Sequence, residues 1–184
     1  LHDAGFNFEV LTVKVSEIFD KNLNVDEQIM KVAETKGRAV ADSIKPLIYQ
    51  EYIVLSADTV VILDGRILGK PKDRVEARKF LSLLSGKTHC VKTGICFIDL
   101  NENQVFKDID STIVEFLDLS PEAIEKYLDS GEWEDKAGAY AIQGKALAFV
   151  KTITGSTSNV VGLPIELVKD LMEKHGWYNR CRKN

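Results

Sequence analysis

The sequence predicts an α/β fold in which helices pack around an open, mixed β-sheet, and three observations carry that prediction. Apolar positions switch along the chain between helical spacing and strand-like runs, so helices and strands alternate. Short polar turns separate some neighbouring strands, which makes hairpins and excludes a purely parallel sheet. The 184 residues are 45% apolar and 28% charged, enough to build one domain or one compact two-lobed unit.

Along the chain, Phe6 to Leu11 reads as a strand after a turn. From Val25 to Ile44, the positions Ile29, Ala33, Lys36, Val40 and Ile44 recur at helical spacing, and Pro46 stops the helix. One member of that stripe is a lysine. Tyr52 to Leu63 is a strongly apolar strand, and Asp64-Gly65 is a hairpin turn before Arg66-Ile67-Leu68. Asp73 with Glu76 resembles a capping box for a helix carrying Ala77, Phe80, Leu81 and Leu84, which Gly86 ends. Strands near 88–99 and 104–117 flank the polar Asn101-Glu102-Asn103. Ser120-Pro121 opens another helix, Gly131 closes it, and 133–145 reads as a loop of small residues. Ala146 to Ile153 is a short strand. Pro164 starts a last helix with Ile165, Val168, Leu171 and Met172 on one side.

Bulk properties remove several function classes. A net charge of −4 argues against a general nucleic-acid-binding surface, and Arg180, Arg182 and Lys183 read as a solvated basic end. Cys90 and Cys96 share one strand, roughly 20 Å apart at the usual rise and too far to bridge. With Cys181 they make an odd set that fits a reducing cytosol. His2, His89 and His175 show no zinc spacing. No window spans a bilayer and no secretory signal is visible.

Asp58 is the most informative residue. It interrupts Val54-Leu55-Ser56-Ala57-Asp58-Thr59-Val60-Val61-Ile62, where an ionised carboxylate is costly unless it is paired or binds a metal. An aspartate capping a loop or pairing with a core arginine accounts for it equally well. Lys36 on its stripe reads as a snorkelling lysine, and Lys70 before Pro71 as a loop lysine in extended backbone. Two lysines converging on a buried carboxylate would instead suggest bound phosphate beside a hard cation. Gly65-Arg66-Ile67-Leu68-Gly69-Lys70-Pro71 is no P-loop: it is one residue short, and Pro71 replaces the hydroxyl residue that magnesium needs. Gly155-Ser156-Thr157-Ser158 ahead of Asn159 to Pro164 could offer amides to an anion, but such segments are more often turns.

Five stretches together resemble the Maf family of nucleotide pyrophosphatases: Ser56 to Val61, Leu68 to Asp73, Leu84 to His89, Asp135 to Gly144, and Val160 to Pro164. They occur in family order from about residue 5 to about 175. The resemblance implies an elongated mixed sheet flanked by helices, with two lobes around a central cleft, as in inosine triphosphate pyrophosphatases. It implies cleavage of nucleoside triphosphates to monophosphate and pyrophosphate. The aspartate matching Asp58 is the family's proton acceptor and lies at the metal site; Glu17 is the best match for a second metal ligand. Lys36 and Lys70 match lysines that contact the phosphates. Thr59 and Gln143 match the branch acting on dTTP and UTP, and an amide at Gln143 suits a pyrimidine edge because it donates and accepts at once. The implied cofactor is a divalent cation, magnesium or alternatively manganese, and the implied protein is a cytoplasmic homodimer with neither nucleic acid nor membrane as partner.

The chain departs from the family at its start. Leu1 to Phe6 resembles the end of the family's first helix and the segment after it. The family's N-terminal strand and its Ser-x-Ser-Pro-Arg-Arg loop are therefore not among the 184 residues, and a first residue other than Met favours a missing segment. On that expectation residues 1–184 are a single Maf-like domain short of its first strand. Two alternatives stand beside the dTTP/UTP reading: a non-catalytic nucleotide-binding regulator of cell division, and a pyrophosphatase with another base preference.

Overall fold

The computed structural model describes residues 1, 5–15, 23–44, 52–178 and 181. His2, Glu17, Pro46, Arg180, Arg182 and Lys183, on which expectations rest, lie outside them. The architecture is α/β, with helices flanking an open five-stranded antiparallel sheet of order β2-β1-β3-β4-β5. The strands are β1 (Ile53–Leu63), β2 (Arg66–Leu68), β3 (Thr88–Asp99), β4 (Gln104–Phe116) and β5 (Val150–Thr154). The helices are α1 (Val25–Ile44), α2 (Arg74–Leu84), α3 (Pro121–Leu128), α4 (Thr157–Val161) and α5 (Ile165–Lys174). None of them is long and apolar enough to cross a membrane.

The chain divides into two compact units, and it passes from one to the other inside β1, β3 and β4. The first unit comprises residues 1–58, 94–110 and 163–184. Alternation along a strand organises it. Cys96 and Ile98 of β3 face Ala33 and Ala41 of α1, whereas Ile95 and Phe97 face Val168 and Met172 of α5 together with Trp177. Both faces of this stretch are covered, so it reads as an unbroken apolar run. A reciprocal capping box opens α1: the Glu27 amide donates to Asn24 Oδ1 at 2.9 Å, and the Asn24 amide to Glu27 Oε2 at 3.1 Å.

The second unit comprises residues 59–93 and 111–162. Its core joins Leu81 and Leu84 of α2, Tyr127 and Leu128 of α3, and Phe116 of β4. Asp64 and Gly65 both take positive φ, as the tight hairpin between β1 and β2 requires. Asp73 accepts from the Glu76 amide at 2.8 Å, but Glu76 reaches back to the Lys72 amide rather than to Asp73, so only half of the expected box forms. Arg74 and Arg78 of α2 grip Glu125 of α3; the hydrogen bonds from Arg78 and then Arg74 hold its carboxyl down to about 2. Being exposed, these pairs orient the helices more than they stabilise them.

Three expectations are corrected. No strand forms over 6–11: Phe6 is buried and makes an isolated bridge, while Val10 is 79% exposed. Residues Lys145–Phe149 form a 3-10 turn before β5, because that winding puts Ala146 and Phe149 on one side, where both are buried. And the Thr157–Val161 segment is a helix, capped by the Ser156 hydroxyl on the Asn159 amide at 3.2 Å and closed by Gly162 at φ 117°.

Candidate active site

The apolar segment around Asp58 alternates as a strand must. Val54 packs toward α1, the Ser56 hydroxyl donates to the Ala33 carbonyl at 2.7 Å, and Asp58, two residues on, shares that face. Gly37 makes the approach possible: a Cβ there would stand 2.7 Å from Ser56 Oγ. With α1 this close to the strand, Lys36 lies within reach of Asp58. Its Nζ donates to Asp58 Oδ1 at 2.6 Å, with the aspartate side chain 8% exposed and the lysine 26%. Asp58 is thus the partner of a lysine.

Burying such a pair is a poor way to gain stability, since the desolvation of both ions offsets most of their attraction. An apolar pair of equal volume would serve the core better. A buried carboxylate beside an ammonium is, however, what phosphate chemistry uses: a hard oxygen donor and a fixed positive charge at one place. Among the described residues, no group of three His, Cys, Asp or Glu side chains could hold a metal on its own. Asp58 nevertheless fits a magnesium-like ion as one oxygen ligand, because that ion is commonly held by one or two carboxylates plus substrate phosphates. Glu17, the other expected ligand, lies outside the described residues.

The remaining candidates belong to the second unit. Thr59 follows Asp58 but projects to the opposite face of the strand, where its Oγ1 lies 2.8 Å from Thr93 Oγ1 and 3.5 Å from the Gly162 carbonyl. Lys70 is exposed in the loop after β2, and Gln143 is exposed in the turn after the 3-10 segment Ala137–Ala139. Those two loops are joined: the Gly138 amide donates to the Gly69 carbonyl at 3.0 Å. Gly138 has φ 67° and its missing Cβ would fall 2.8 Å from Val61 Cγ2, so only glycine closes that junction.

Two tyrosines hold the Gln143 turn, and sequence reasoning assigned neither of them a role. The Tyr127 hydroxyl accepts from the Ala141 amide at 3.0 Å, and the Tyr140 hydroxyl lies 2.9 Å from His89 Nε2. His89 and Tyr140 come from two of the recurring motifs, a hint that they meet. Burial drives the His89 pKa down to about 4, against a smaller upward pull from the Lys87 backbone, so the ring is neutral in the fold. An unfolded histidine takes its proton near 6.5. Its contribution is therefore complete above pH 6.5 and is lost as pH falls toward 4, by on the order of 3 kcal/mol in total. Urea midpoints of the unaltered chain and His89→Gln, compared at pH 7 and pH 4.5, should converge on acidification; parallel curves would acquit His89.

Two surface concavities, one lined by Arg78, Ser82 and Leu119 and the other by Leu63, Asp64 and Lys87, contain none of the candidate residues.

A family model described as Maf-like protein matches residues 1–175. The chain is 46% identical over 174 residues to a dTTP/UTP pyrophosphatase of Bdellovibrio bacteriovorus, covering 95% of this chain and 91% of that protein. It is 44% identical over 177 residues to a protein of the same name from Fusobacterium nucleatum, covering 96% and 89%. A third, from Desulforamulus reducens, is 41% identical over 176 residues, covering 96% and 90%.

Proposed function

The chain belongs to the Maf family, and on that footing we propose that it hydrolyses dTTP and UTP to the monophosphate and pyrophosphate. The relatives named for that activity support the reaction, and the ion pair of half-buried Lys36 with buried Asp58 is the observation that supports a reacting centre in this chain.

Water adds to phosphorus at one side of the α–β bridge, the bridging P–O bond breaks, and the electron pair leaves on pyrophosphate. Negative charge accumulates on the phosphate oxygens as this happens. Lys36, fixed by its helix, stands ready to share its ammonium protons with those oxygens, and Lys70 adds a second cation from an exposed loop. Asp58 orients the attacking water and takes up its proton. The Lys36 hydrogen bond falls on Oδ1 of that carboxylate. A divalent cation, magnesium or manganese, held by Asp58 and by Glu17, would when bound neutralise charge on the phosphates and the leaving group. Gln143, on a turn pinned by Tyr127 and Tyr140, would read the pyrimidine edge, with Thr59 as its companion.

The test is pyrophosphate release from dTTP and UTP with magnesium, measured beside GTP, ATP and 7-methyl-GTP. Turnover of the two pyrimidine substrates well above the purines is expected. Nucleotide binding without release would sink the enzymatic reading, and a purine preference would sink the base assignment.

A further inference from the structure

A chain of hydroxyls in the second unit determines what Thr59 can do for a ligand. Asn159, fully buried, is locked from three directions. Its side-chain amide donates to the Val91 carbonyl at 3.0 Å and to Thr112 Oγ1 at 2.9 Å, and its backbone N–H donates to the Ser156 hydroxyl at 3.2 Å. Its carbonyl is thereby held in place and accepts from the Gly162 amide at 2.9 Å and from Thr93 Oγ1 at 3.1 Å. Thr93 is also fully buried, and its hydroxyl has one proton. If that proton goes to Asn159, Thr59 must donate its own proton to Thr93 across the 2.8 Å contact. In the opposite arrangement Thr93 donates to Thr59, and Thr59 donates to the Gly162 carbonyl at 3.5 Å. The first arrangement uses the shorter contacts, 2.8 and 3.1 Å against 3.5 Å to Gly162, and in it the Thr59 proton is spent on Thr93.

Thr59, only partly buried, therefore presents lone pairs and no proton. We propose that Thr93, seated on the Asn159 carbonyl, is a positioning residue that makes Thr59 an obligate acceptor for the N3–H of a uracil or thymine ring. This deepens the dTTP/UTP reading and rests on it. Cytosine carries a lone pair at N3, so acceptor would face acceptor, and CTP should be rejected although it is the same size. Thr93→Val removes that acceptor and leaves only the Gly162 carbonyl at 3.5 Å, so the Thr59 proton becomes available to a ligand and the choice should relax.

The experiment measures kcat/KM for UTP, CTP, N3-methyl-UTP and 3′-deoxy-UTP on the unaltered chain, Thr93→Val and Thr93→Ser. For the unaltered chain, CTP and N3-methyl-UTP should each fall below UTP by roughly tenfold or more, because a site built around one hydrogen bond rejects the analogue lacking it. 3′-Deoxy-UTP should match UTP. Thr93→Val should lower the UTP-to-CTP ratio at least severalfold, mainly through KM, and Thr93→Ser should restore it; a general structural role would lower both substrates together. An unchanged ratio in a folded Thr93→Val overturns the proposal, as does a loss confined to 3′-deoxy-UTP, which would assign the acceptor to the sugar. Should Thr93→Val not fold, equal turnover of UTP and N3-methyl-UTP by the unaltered chain overturns it alone. Absence of any pyrophosphate release from UTP by the unaltered chain sinks the underlying function instead.

Discussion

Asp58→Asn should lower kcat for UTP by roughly 10²- to 10⁴-fold, the range a positioned acid–base group contributes. The amide keeps the shape of the carboxylate but loses its charge, and with it the means to take a proton from water. Folding should survive, because Lys36 is 26% exposed and can turn its ammonium toward water when its partner becomes neutral. Circular dichroism and a urea midpoint check the fold; single-turnover pyrophosphate release checks the chemistry. A variant that retains rate within about threefold would show that Asp58 is a structural acid and nothing more.

The second large effect concerns Lys36. Replacing it by Met keeps the stem against α1 and β1 but removes the cation. One charge-assisted phosphate contact is worth about 1.5–3 kcal/mol, so kcat/KM should fall roughly 10- to 150-fold. Stability should fall too, because Asp58, 8% exposed, loses the ammonium that compensates its burial. The double variant Lys36→Met/Asp58→Asn separates the two effects. Its urea midpoint should recover toward that of the unaltered chain, since neither charge of the pair is then left buried, while its activity should stay at the Asp58→Asn level or below. Full additivity in stability would mean that the pair is not energetically coupled.

Local chemistry made most of the secondary structure legible. The helical stripe from Ile29 to Ile44, the Asp64-Gly65 hairpin and the Ser120-Pro121 helix start all depend on neighbours within a few residues, and all three stand in the fold as read. The errors fall where distant contacts outvote local pattern. Phe6 to Leu11 has strand composition yet forms no strand, since composition cannot supply a partner edge. Lys145 to Phe149 could alternate as a strand, but Ala146 and Phe149 are both drawn into one core, which a 3-10 turn permits. The five-residue helix of Thr157 is too short for periodicity to register; its visible signals were the Ser156 cap and Gly162.

A carboxylate in a greasy strand and a lysine on a greasy helix face are plain from the residue order, because a charge among apolar neighbours stands out without coordinates. The family is plain in the same way, through short motifs kept in order. That Lys36 and Asp58 meet is a property of the folded chain, since their 22-residue separation is bridged by the close approach that Gly37 allows. Folding also spends the Thr59 proton on Thr93, because hydrogen-bond direction depends on where acceptors lie in space, and that acceptor comes from a segment 34 residues away.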